Sequence, residues 1–294
     1  MMAPHVAVEE GDDQLVLTPE PEGPRSRRPR RRLWKVLIGI GVVLLLLIVS
    51  AALWFFLGRD QARQLGDNEA LTDFRASGGA SSDSTGRPAA GVYAATASGN
   101  ESIGLPGFDE SLGPNAPVTV TQGRGGCYTY RADFNSHHWR SWTFCPTETA
   151  TFSLTHLESW TARKAPGLDI ATLTTYTCEH PLDFLWQGAA IGDTRTGTCT
   201  GTSDMDHSVT ADAGSIKVLD AGNITVDAKR VDVIHLRTTD TFSRAQTGSE
   251  VDEWWLDAST ALPVKIVVDA SLKGGPSDYS ETVNLELSTL TPAT

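Results

Sequence analysis

The chain carries, at residues 127–145, the sequence CYTYRADFNSHHWRSWTFC, in which aromatic residues recur at alternate positions between two cysteines. Successive side chains of a strand point to opposite faces of a sheet. A hairpin centred on Ser136 therefore gathers the aromatic side chains on one face and makes Cys127 face Cys145. The aromatic residues of this face are Tyr128, Tyr130, Phe134, Trp142 and Phe144. One register thus satisfies both a cross-strand aromatic ladder and a disulfide, which predicts an antiparallel β-hairpin.

The four cysteines of the chain are Cys127, Cys145, Cys178 and Cys199. An even number of cysteines is typical of disulfides in an oxidising compartment, and pairing Cys127 with Cys145 leaves Cys178 to pair with Cys199. Directly opposite strand residues lie closer together than most disulfides require, so a bulge or a small slip of the hairpin stays open. The spacing C-x-x-C is absent, and we therefore expect neither a zinc site nor redox chemistry.

Alternation of apolar and polar residues continues from about Ala89 to the C-terminus. Residues 149–157 and 282–288 show it most clearly, and each predicts a strand with one solvated face. Only residues 182–190 suggest a short helix. The segment 89–294 is long enough to form one core. We expect a mainly β domain built on an antiparallel sheet with little helix.

The segment 36–57 contains no charged residue. A helix of this length spans about 33 Å, which matches a hydrocarbon core of about 30 Å. Trp34 and Trp54 stand near its two ends, as in an aromatic belt. Lys and Arg crowd the N-terminal flank, so the positive-inside rule places the N-terminus in the cytoplasm and the C-terminal part outside. The alternative is a signal peptide cleaved at residues 50–52, but the apolar run continues beyond that site.

These boundaries divide the chain into a disordered cytoplasmic tail (1–32), a transmembrane helix (33–57), a flexible stalk (58–88) and an extracytoplasmic β-rich domain (89–294). The tail has almost nothing apolar to bury, and the stalk is rich in Gly, Ser, Asp and Ala. Of the 24 basic and 36 acidic residues, 7 and 6 lie in residues 1–35, which leaves a net charge of −13 for the rest of the chain. A charge of this sign argues against nucleic acid as a partner.

Ser, His and Asp residues are frequent, but the sequence contains no G-x-S-x-G, H-E-x-x-H or phosphate-binding glycine motif. We therefore expect a protein that is not an enzyme and has no cofactor. His137 and His138 lie at the predicted hairpin tip, where we expect them to be exposed. Residues 204–207 place two carboxylates and an imidazole in a polar loop. This loop lacks the further acidic positions and the glycine of a calcium loop, so we expect no metal site.

Six tryptophans fall in the predicted β domain, namely Trp139, Trp142, Trp160, Trp186, Trp254 and Trp255. Core packing accounts for most such residues. The adjacent side chains of Trp254 and Trp255 must face opposite sides of a strand, so one of them covers an edge or lines a groove. An apolar groove on a curved sheet would accept an acyl chain or a partner peptide. We expect Trp186, Trp254 and Trp255 to line it.

The C-terminal part of the chain contains EWWLD at residues 253–257, a turn at residues 258–261 and LPVK at residues 262–265. It resembles the W-L-D-x-x-T-G-L-P-V-[KR] hairpin of exported half-barrel proteins similar to bacterial lipoprotein carriers, and also resembles uncharacterised actinobacterial membrane-anchored proteins. Ala261 stands where that pattern has glycine. The side chain of Asp257 is expected to cap the turn. The resemblance implies a strongly curved antiparallel half-barrel sheet around a lipid-sized groove.

A fold alone does not fix a function. The sequence predicts a single-pass protein of the plasma membrane whose extracytoplasmic domain binds or scaffolds a ligand, without enzymatic activity. The alternative is a half-barrel that binds a lipid or a lipoprotein at the outer face of the cytoplasmic membrane. The expected partners are accordingly the membrane itself and a lipid or a protein.

Overall fold

The computed structural model describes residues 30–79, 86–105, 107–274 and 278–294. Helix α1 is formed by residues Arg30–Leu57, and its segment Trp34–Leu57 is long and apolar enough to cross a membrane. Large apolar side chains along this segment, such as those of Leu47 and Ile48, are exposed. The predicted transmembrane segment lies within α1. Most of the predicted cytoplasmic tail, residues 1–29, lies outside the described residues.

Helix α2, Asp67–Ala76, lies within the segment 58–88 that we predicted as a flexible stalk. Its side chains of Ala70 and Phe74 are buried in a small apolar cluster that also contains Ala90 and Val92. The stalk prediction is therefore wrong for this helix. Two apolar residues four positions apart lie on the same side of a helix, and here that side packs against residues at the start of the β domain.

The chain before α2 is also attached to the β domain. The backbone N–H of Asp60 donates to the carbonyl of Lys164 (2.9 Å), and the backbone N–H of Ser136 donates to the carbonyl of Arg63 (2.8 Å). Each bond satisfies a backbone donor that would otherwise need water. The folded unit therefore begins before Ala89, where the sequence predicted its start.

The β domain contains fourteen strands in the described residues. They are β1 Gly91–Tyr93, β2 Ala95–Ser102, β3 Glu110–Ser111, β4 Val118–Gln122, β5 Tyr128–Asn135, β6 His138–Cys145, β7 Phe152–Ala165, β8 Leu168–Leu185, β9 Thr194–Ser203, β10 Val209–Val226, β11 Lys229–Arg244, β12 Gln246–Asp257, β13 Pro263–Gly274 and β14 Tyr279–Leu287. A short 3-10 helix, Arg124–Gly126, precedes β5.

The strands form one curved antiparallel half-barrel sheet. Its order is β1-β4-β5-β6-β7-β8-β9-β10-β11-β12-β13-β14-β2-β3, so from β4 to β14 each strand pairs with the next one along the chain. The predicted fold class, a mainly β domain with a half-barrel sheet and an N-terminal apolar helix, is confirmed. The core lies on the concave face, where the aromatic side chains of the first predicted hairpin are all buried.

Strands β1 and β2 are separated only by Ala94, yet they pair with opposite ends of the sheet. Gly91–Tyr93 is hydrogen-bonded to β4, whereas Ala95–Ser102 is hydrogen-bonded to β14. The backbone N–H of Ala97 also donates to the carbonyl of Pro114, in the segment that connects β3 to β4 (2.9 Å). One short segment of chain therefore joins the two ends of the half-barrel.

The predicted hairpin register is confirmed over most of its length. Tyr128 pairs with Phe144, and the pairing continues unshifted to Asp133, after which a bulge at Phe134 displaces the turn by one residue. Cys127 forms a disulfide with Cys145. The second predicted disulfide, between Cys178 and Cys199, is also present and joins direct partners on β8 and β9.

Residues 182–190 do not form the short helix that we predicted. Strand β8 continues to Leu185, and the residues that follow are turn and loop. Leu182 and Phe184 are buried, whereas Asp183 and Leu185 between and beyond them are half-buried. The period of two in this segment is that of a strand, and it outweighs helix propensity.

The turn between β12 and β13 agrees with the predicted cap. Oδ1 of Asp257 accepts hydrogen bonds from the backbone N–H groups of Ser259 (2.7 Å) and Thr260 (3.0 Å). Ala261 has φ 61°, in the left-handed region that glycine adopts most easily. This conformation explains why the W-L-D-x-x-T-G-L-P-V-[KR] pattern has glycine at the position of Ala261.

Candidate ligand cavity

The β domain contains a cavity of about 210 Å³. The curved sheet brings strands that are distant in sheet order to face each other, and apolar side chains from several of them line the cavity. Among these are Trp142 of β6, Leu157 of β7, Leu182 of β8, Phe242 of β11 and Trp254 of β12. Concave, largely apolar cavities with a few polar groups are the usual form of small-molecule sites.

Partly exposed lining residues mark where the cavity meets solvent. Met205 lines it and is 38% exposed, and Leu105 and Ile170 line it and are half-buried. Met205 lies in the turn between β9 and β10, whereas Ile170 lies near the start of β8. The cavity is therefore open beside the β9–β10 turn.

Five acidic side chains belong to the lining, and one of them, Glu281 on β14, is paired with Arg140 and His138. The other four are Asp212 on β10, Asp240 on β11, and Glu250 and Asp252 on β12. We call them the acid cluster. Asp240 pairs directly with Glu250 on one side and with Gly214 on the other. A Cβ atom at Gly214 would lie 2.3 Å from Oδ1 of Asp240, so the glycine leaves the space that this carboxyl group occupies. Like charges directly opposite each other destabilise a sheet, so the fold itself does not call for this arrangement.

Burial raises the pKa of the three aspartates of the acid cluster, because a carboxylate loses hydration in an apolar surrounding. The pKa of Asp212 rises from 3.8 to about 7, with the charge of Glu250 as a further cause. Burial and then the charges of acidic neighbours also raise the pKa values of Asp240 and Asp252 well above their usual range, although Arg140 acts to lower both. Near neutral pH, part of the cluster is therefore protonated.

Arg140 of β6 reaches two carboxylates on other strands. Its guanidinium donates to Glu250 of β12 (2.6 Å) and to Glu281 of β14 (3.1 Å), and all three side chains are buried. This pairing satisfies two of the acidic groups at the cavity. Since one cation is already shared by two carboxylates, it does not neutralise the aspartates as well.

His137 and His138 are buried, with exposed fractions of 6% and 0%, so our prediction of an exposed hairpin tip is wrong. Nδ1 of His137 lies 2.8 Å from a carboxylate oxygen of Glu110, and Nε2 of His138 lies 3.0 Å from one of Glu281. Each imidazole finds a carboxylate partner that a local reading of the hairpin does not reveal. The tip is therefore covered by β3, which precedes it in the chain, and by β14, which follows it.

These histidine contacts belong to a network of buried charges that compensate each other. Burial acts to raise the pKa of Glu281, but the charges of Arg140 and His138 outweigh it and lower the pKa to about 2. Burial likewise acts to lower the pKa of His138, but Glu101 and Glu281 raise it above 6.5. Arg163 donates to Glu101 (2.5 Å). Opposite charges are matched here, in contrast to the acid cluster.

Several buried polar atoms of the cavity residues lack a hydrogen-bond partner in the described part of the chain. They are Oδ1 of Asp212, Oδ1 of Asp252, Nε of Arg140, Oγ1 of Thr238, Nε1 of Trp142 and Nε1 of Trp254. Asp252 is 3% exposed, and both tryptophans are 1% exposed. Buried polar groups in native proteins are rarely unpaired. Their concentration around one cavity favours a binding site over a filled core.

Of the three tryptophans predicted to line a groove, only Trp254 is among the residues that line the cavity. Trp186 is buried in the core, with the guanidinium of Arg195 at 5.3 Å from its ring centre. Trp255 faces the other side of the sheet, as its position next to Trp254 predicted, and stacks on His235 at 4.2 Å between ring centres. The three residues are therefore not brought together into one site.

In the polar loop at residues 204–207, the carboxylates of Asp204 and Asp206 accept backbone hydrogen bonds, the first from β8 and the second from the loop's own turn. Oδ1 of Asp204 accepts from the backbone N–H of Leu173 (2.7 Å), and Oδ1 of Asp206 accepts from that of Ser208 (3.0 Å). Across the described ranges, no group of three or more His, Cys, Asp or Glu side chains is arranged to hold a metal ion.

The sequence contains a signal for the acid cluster that we did not use. Glu250, Asp252, Trp254 and Leu256 alternate along β12, and all four are buried. The sequence alone leaves open which of Trp254 and Trp255 faces inward. If Trp254 does, the period of two places Asp252 and Glu250 on the same inner face. Charged residues on the inner face of a strand are unusual and indicate a functional site.

Comparison of the chain with protein-family models, with curated proteins and with solved structures finds no match. The proposals below therefore rest on the residues and the geometry of this chain.

Proposed function

We propose that this chain is a membrane-anchored binding protein whose β domain holds a small, largely apolar molecule in the cavity. The observation that supports this most directly is the cavity of about 210 Å³, with apolar walls, unpartnered buried polar atoms and a partly exposed rim. If these residues only packed the core, fewer voids and fewer unpaired polar groups would be expected among them.

The size of the cavity limits the ligand. Drug-sized ligands usually occupy about 300 to 1,000 Å³, so a cavity of about 210 Å³ suits a short chain or a small ring system. It is small for the several acyl chains of a lipoprotein anchor. We therefore favour a small amphiphile over a complete lipoprotein as the ligand, which narrows the lipid-binding alternative derived from the half-barrel resemblance.

We further propose that the β domain lies outside the cytoplasmic membrane. The apolar helix has its basic flank on the N-terminal side, which favours a cytoplasmic N-terminus. Both disulfides lie in the β domain, and disulfides persist mainly in oxidising compartments. The test is labelling of intact cells with a membrane-impermeant thiol reagent on single-cysteine variants at Ser26 and at Thr202. Labelling at Ser26 without labelling at Thr202 would contradict this orientation.

Binding is tested with 1-octanol as a neutral probe and the full chain reconstituted in lipid nanodiscs. Titration calorimetry, corrected with empty nanodiscs, should detect a single saturable site. Thr174→Trp fills the cavity from β8, whereas Thr175→Trp places the same side chain on the other face of that strand, since Thr174 lines the cavity and Thr175 does not. We expect Thr174→Trp to weaken binding at least about tenfold, since the probe then loses its space.

The matched substitution should leave binding unchanged. Equal binding by the two variants would contradict the proposed site, and so would the absence of saturable binding of 1-octanol and of its amine and carboxylate analogues by the unsubstituted chain. We propose binding without catalysis, so turnover of ester or glycoside substrates that is lost in Asp240→Asn would overturn that part of the proposal.

A further inference from the structure

We propose that the ligand of the cavity is an amphiphile with a cationic head, such as a primary ammonium group, which pairs with the acid cluster while its apolar part lies against the aromatic and aliphatic wall. This inference rests on the proposed binding function and specifies the chemistry of the ligand.

The charges around the cavity are unbalanced. Arg163 is paired with Glu101 and Glu110, and Arg140 is paired with Glu250 and Glu281. Asp212, Asp240 and Asp252 have no such partner within the described ranges, where no Lys, Arg or His nitrogen lies within 4.0 Å of their carboxylate oxygens. A cationic ligand would supply a compensating charge at this point, in place of the protons that part of the acid cluster holds near neutral pH.

The arrangement of the cluster supports an organic cation. Asp240 and Glu250 stand opposite each other on neighbouring strands, and Asp252 follows Glu250 on the same face. Burying like charges together costs free energy, and the cost is offset when a cation is bound between them. The space above Gly214, which a side chain would fill, is held open for the carboxyl group of Asp240.

A second observation points to a hydrogen-bond donor on the ligand. The side chain of Asp252 is only 3% exposed, and its Oδ1 has no hydrogen-bond partner in the described part of the chain. An N–H group of a bound ammonium is the type of donor that such an acceptor needs. The neighbouring aromatic side chains of Tyr176 and Trp254 also line the cavity, and aromatic faces attract cations.

Other ligand classes fit less well. A fatty acid or another anionic amphiphile would bring a further negative charge to a group of four acidic residues. A bare metal ion lacks an arranged ligand set within the described ranges and would leave the apolar wall unused. A neutral amphiphile would fill the cavity but leave Asp212, Asp240 and Asp252 without a cationic partner among the described residues.

Three probes with the same eight-carbon chain separate these classes: n-octylamine, 1-octanol and octanoate. Each is titrated into the full chain in nanodiscs of zwitterionic lipid at pH 7.5, with empty nanodiscs subtracted. We expect octylamine to bind at least about tenfold more tightly than 1-octanol, and octanoate to bind most weakly, as expected for a buried charge pair.

Asp252→Asn removes the carboxyl group whose Oδ1 has no hydrogen-bond partner among the described residues, and Asp269→Asn makes the same change at an exposed position on β13. We expect the amine-to-octanol affinity ratio to fall about tenfold in Asp252→Asn and to stay unchanged in Asp269→Asn. Far-ultraviolet circular dichroism checks that both variants are folded.

The outcomes distinguish this inference from the function on which it rests. Equal affinity for the three probes, or an unchanged ratio in Asp252→Asn, would leave the binding site standing and overturn the cationic ligand. Saturable binding of CaCl2 that excludes octylamine would overturn it in favour of a metal ion. If none of the probes binds, the proposed binding function fails as well.

Discussion

Asp240 of β11 and Glu250 of β12 stand directly opposite each other in the sheet, and both line the cavity of the β domain. A pair of acidic residues in this position lowers stability unless a proton or a cation lies between them. The free energy of unfolding should therefore depend on pH in a way that reports on the acid cluster.

Stability of the ligand-free protein should fall as pH rises from about 4 to above 7. The pKa values of Asp212, Asp240 and Asp252 are raised on folding, to about 7 for Asp212, so the folded state holds protons more tightly than the unfolded chain. Their contribution is fully present below about pH 4 and is lost as pH passes the folded-state pKa values. We expect a loss of about 1 to 3 kcal/mol between pH 5 and pH 8, measured by chemical denaturation.

In the same measurement, Asp240→Asn should be more stable than the unsubstituted chain at pH 8 and should show a shallower dependence on pH. Asp269→Asn, exposed on β13, serves as the control and should reproduce the original slope. If Asp240→Asn has that original slope too, the raised pKa values do not govern stability in this range.

Glu281→Gln should destabilise the fold by about 3 kcal/mol at pH 7, because it leaves the buried cations of Arg140 and His138 without part of their compensation. The pKa of Glu281 is lowered to about 2, so its contribution is present above about pH 4.5 and disappears as pH falls toward 2. Denaturant unfolding at pH 7 and pH 3 checks both the size and the direction.

The matched control is Glu253→Gln, whose partner Arg237 is half exposed on the other face of the sheet. An ion pair of this kind contributes less than about 1 kcal/mol. If Glu281→Gln and Glu253→Gln lowered the free energy of unfolding by similar amounts, the buried charge network would stabilise the fold no more than an exposed ion pair does.

Phe74→Ala should detach helix α2 from the β domain. Phe74 is 2% exposed, and its ring is the largest side chain of the small cluster with Ala70, Ala90 and Val92. Replacing a buried phenylalanine by alanine costs about 3 kcal/mol or more, which is enough to release a ten-residue helix. Hydrogen exchange should become fast in residues 67–76, while Thr72→Ala on the exposed side of α2 should leave it slow. Slow exchange that persists in Phe74→Ala would show that contacts other than that of Phe74 hold α2, whereas fast exchange in the unsubstituted chain would contradict the docking of α2.

Loss of either disulfide should lower the free energy of unfolding by about 3 kcal/mol, since the two bridges close loops of similar length and the chain-entropy cost varies slowly with length. The sequence separations are 18 and 21 residues. Cys127→Ser with Cys145→Ser, and Cys178→Ser with Cys199→Ser, are compared by denaturant unfolding. If one double variant lost about ten times as much free energy of unfolding as the other, the bridge with the larger effect would act through packing in the native state and not through chain entropy alone.

Features set by neighbouring residues were the ones that the sequence predicted best. The register from Tyr128 to Phe144, both disulfides and the cap at Asp257 depend on residues less than about 25 positions apart. The strand at residues 182–185 was assigned to a helix because a short apolar segment satisfies both patterns.

The cavity depends on contacts that no local pattern contains. Arg140 meets Glu250 and Glu281, which are 110 and 141 positions away along the chain. Such contacts arise only when the sheet curves and opposite strands face each other. For the same reason the burial of His138 was missed, since its partner Glu281 lies on the strand nearest the C-terminus.

The joining of both sheet ends by the segment 91–102 also limits contact between molecules. The terminal strands of the sheet, β1 and β3, are only three and two residues long. Long unpaired strand edges act as templates for β-aggregation, and short edges remove that template. Copies of this protein held close together would thus have little free backbone with which to pair, and each domain would stay a separate unit with its cavity accessible.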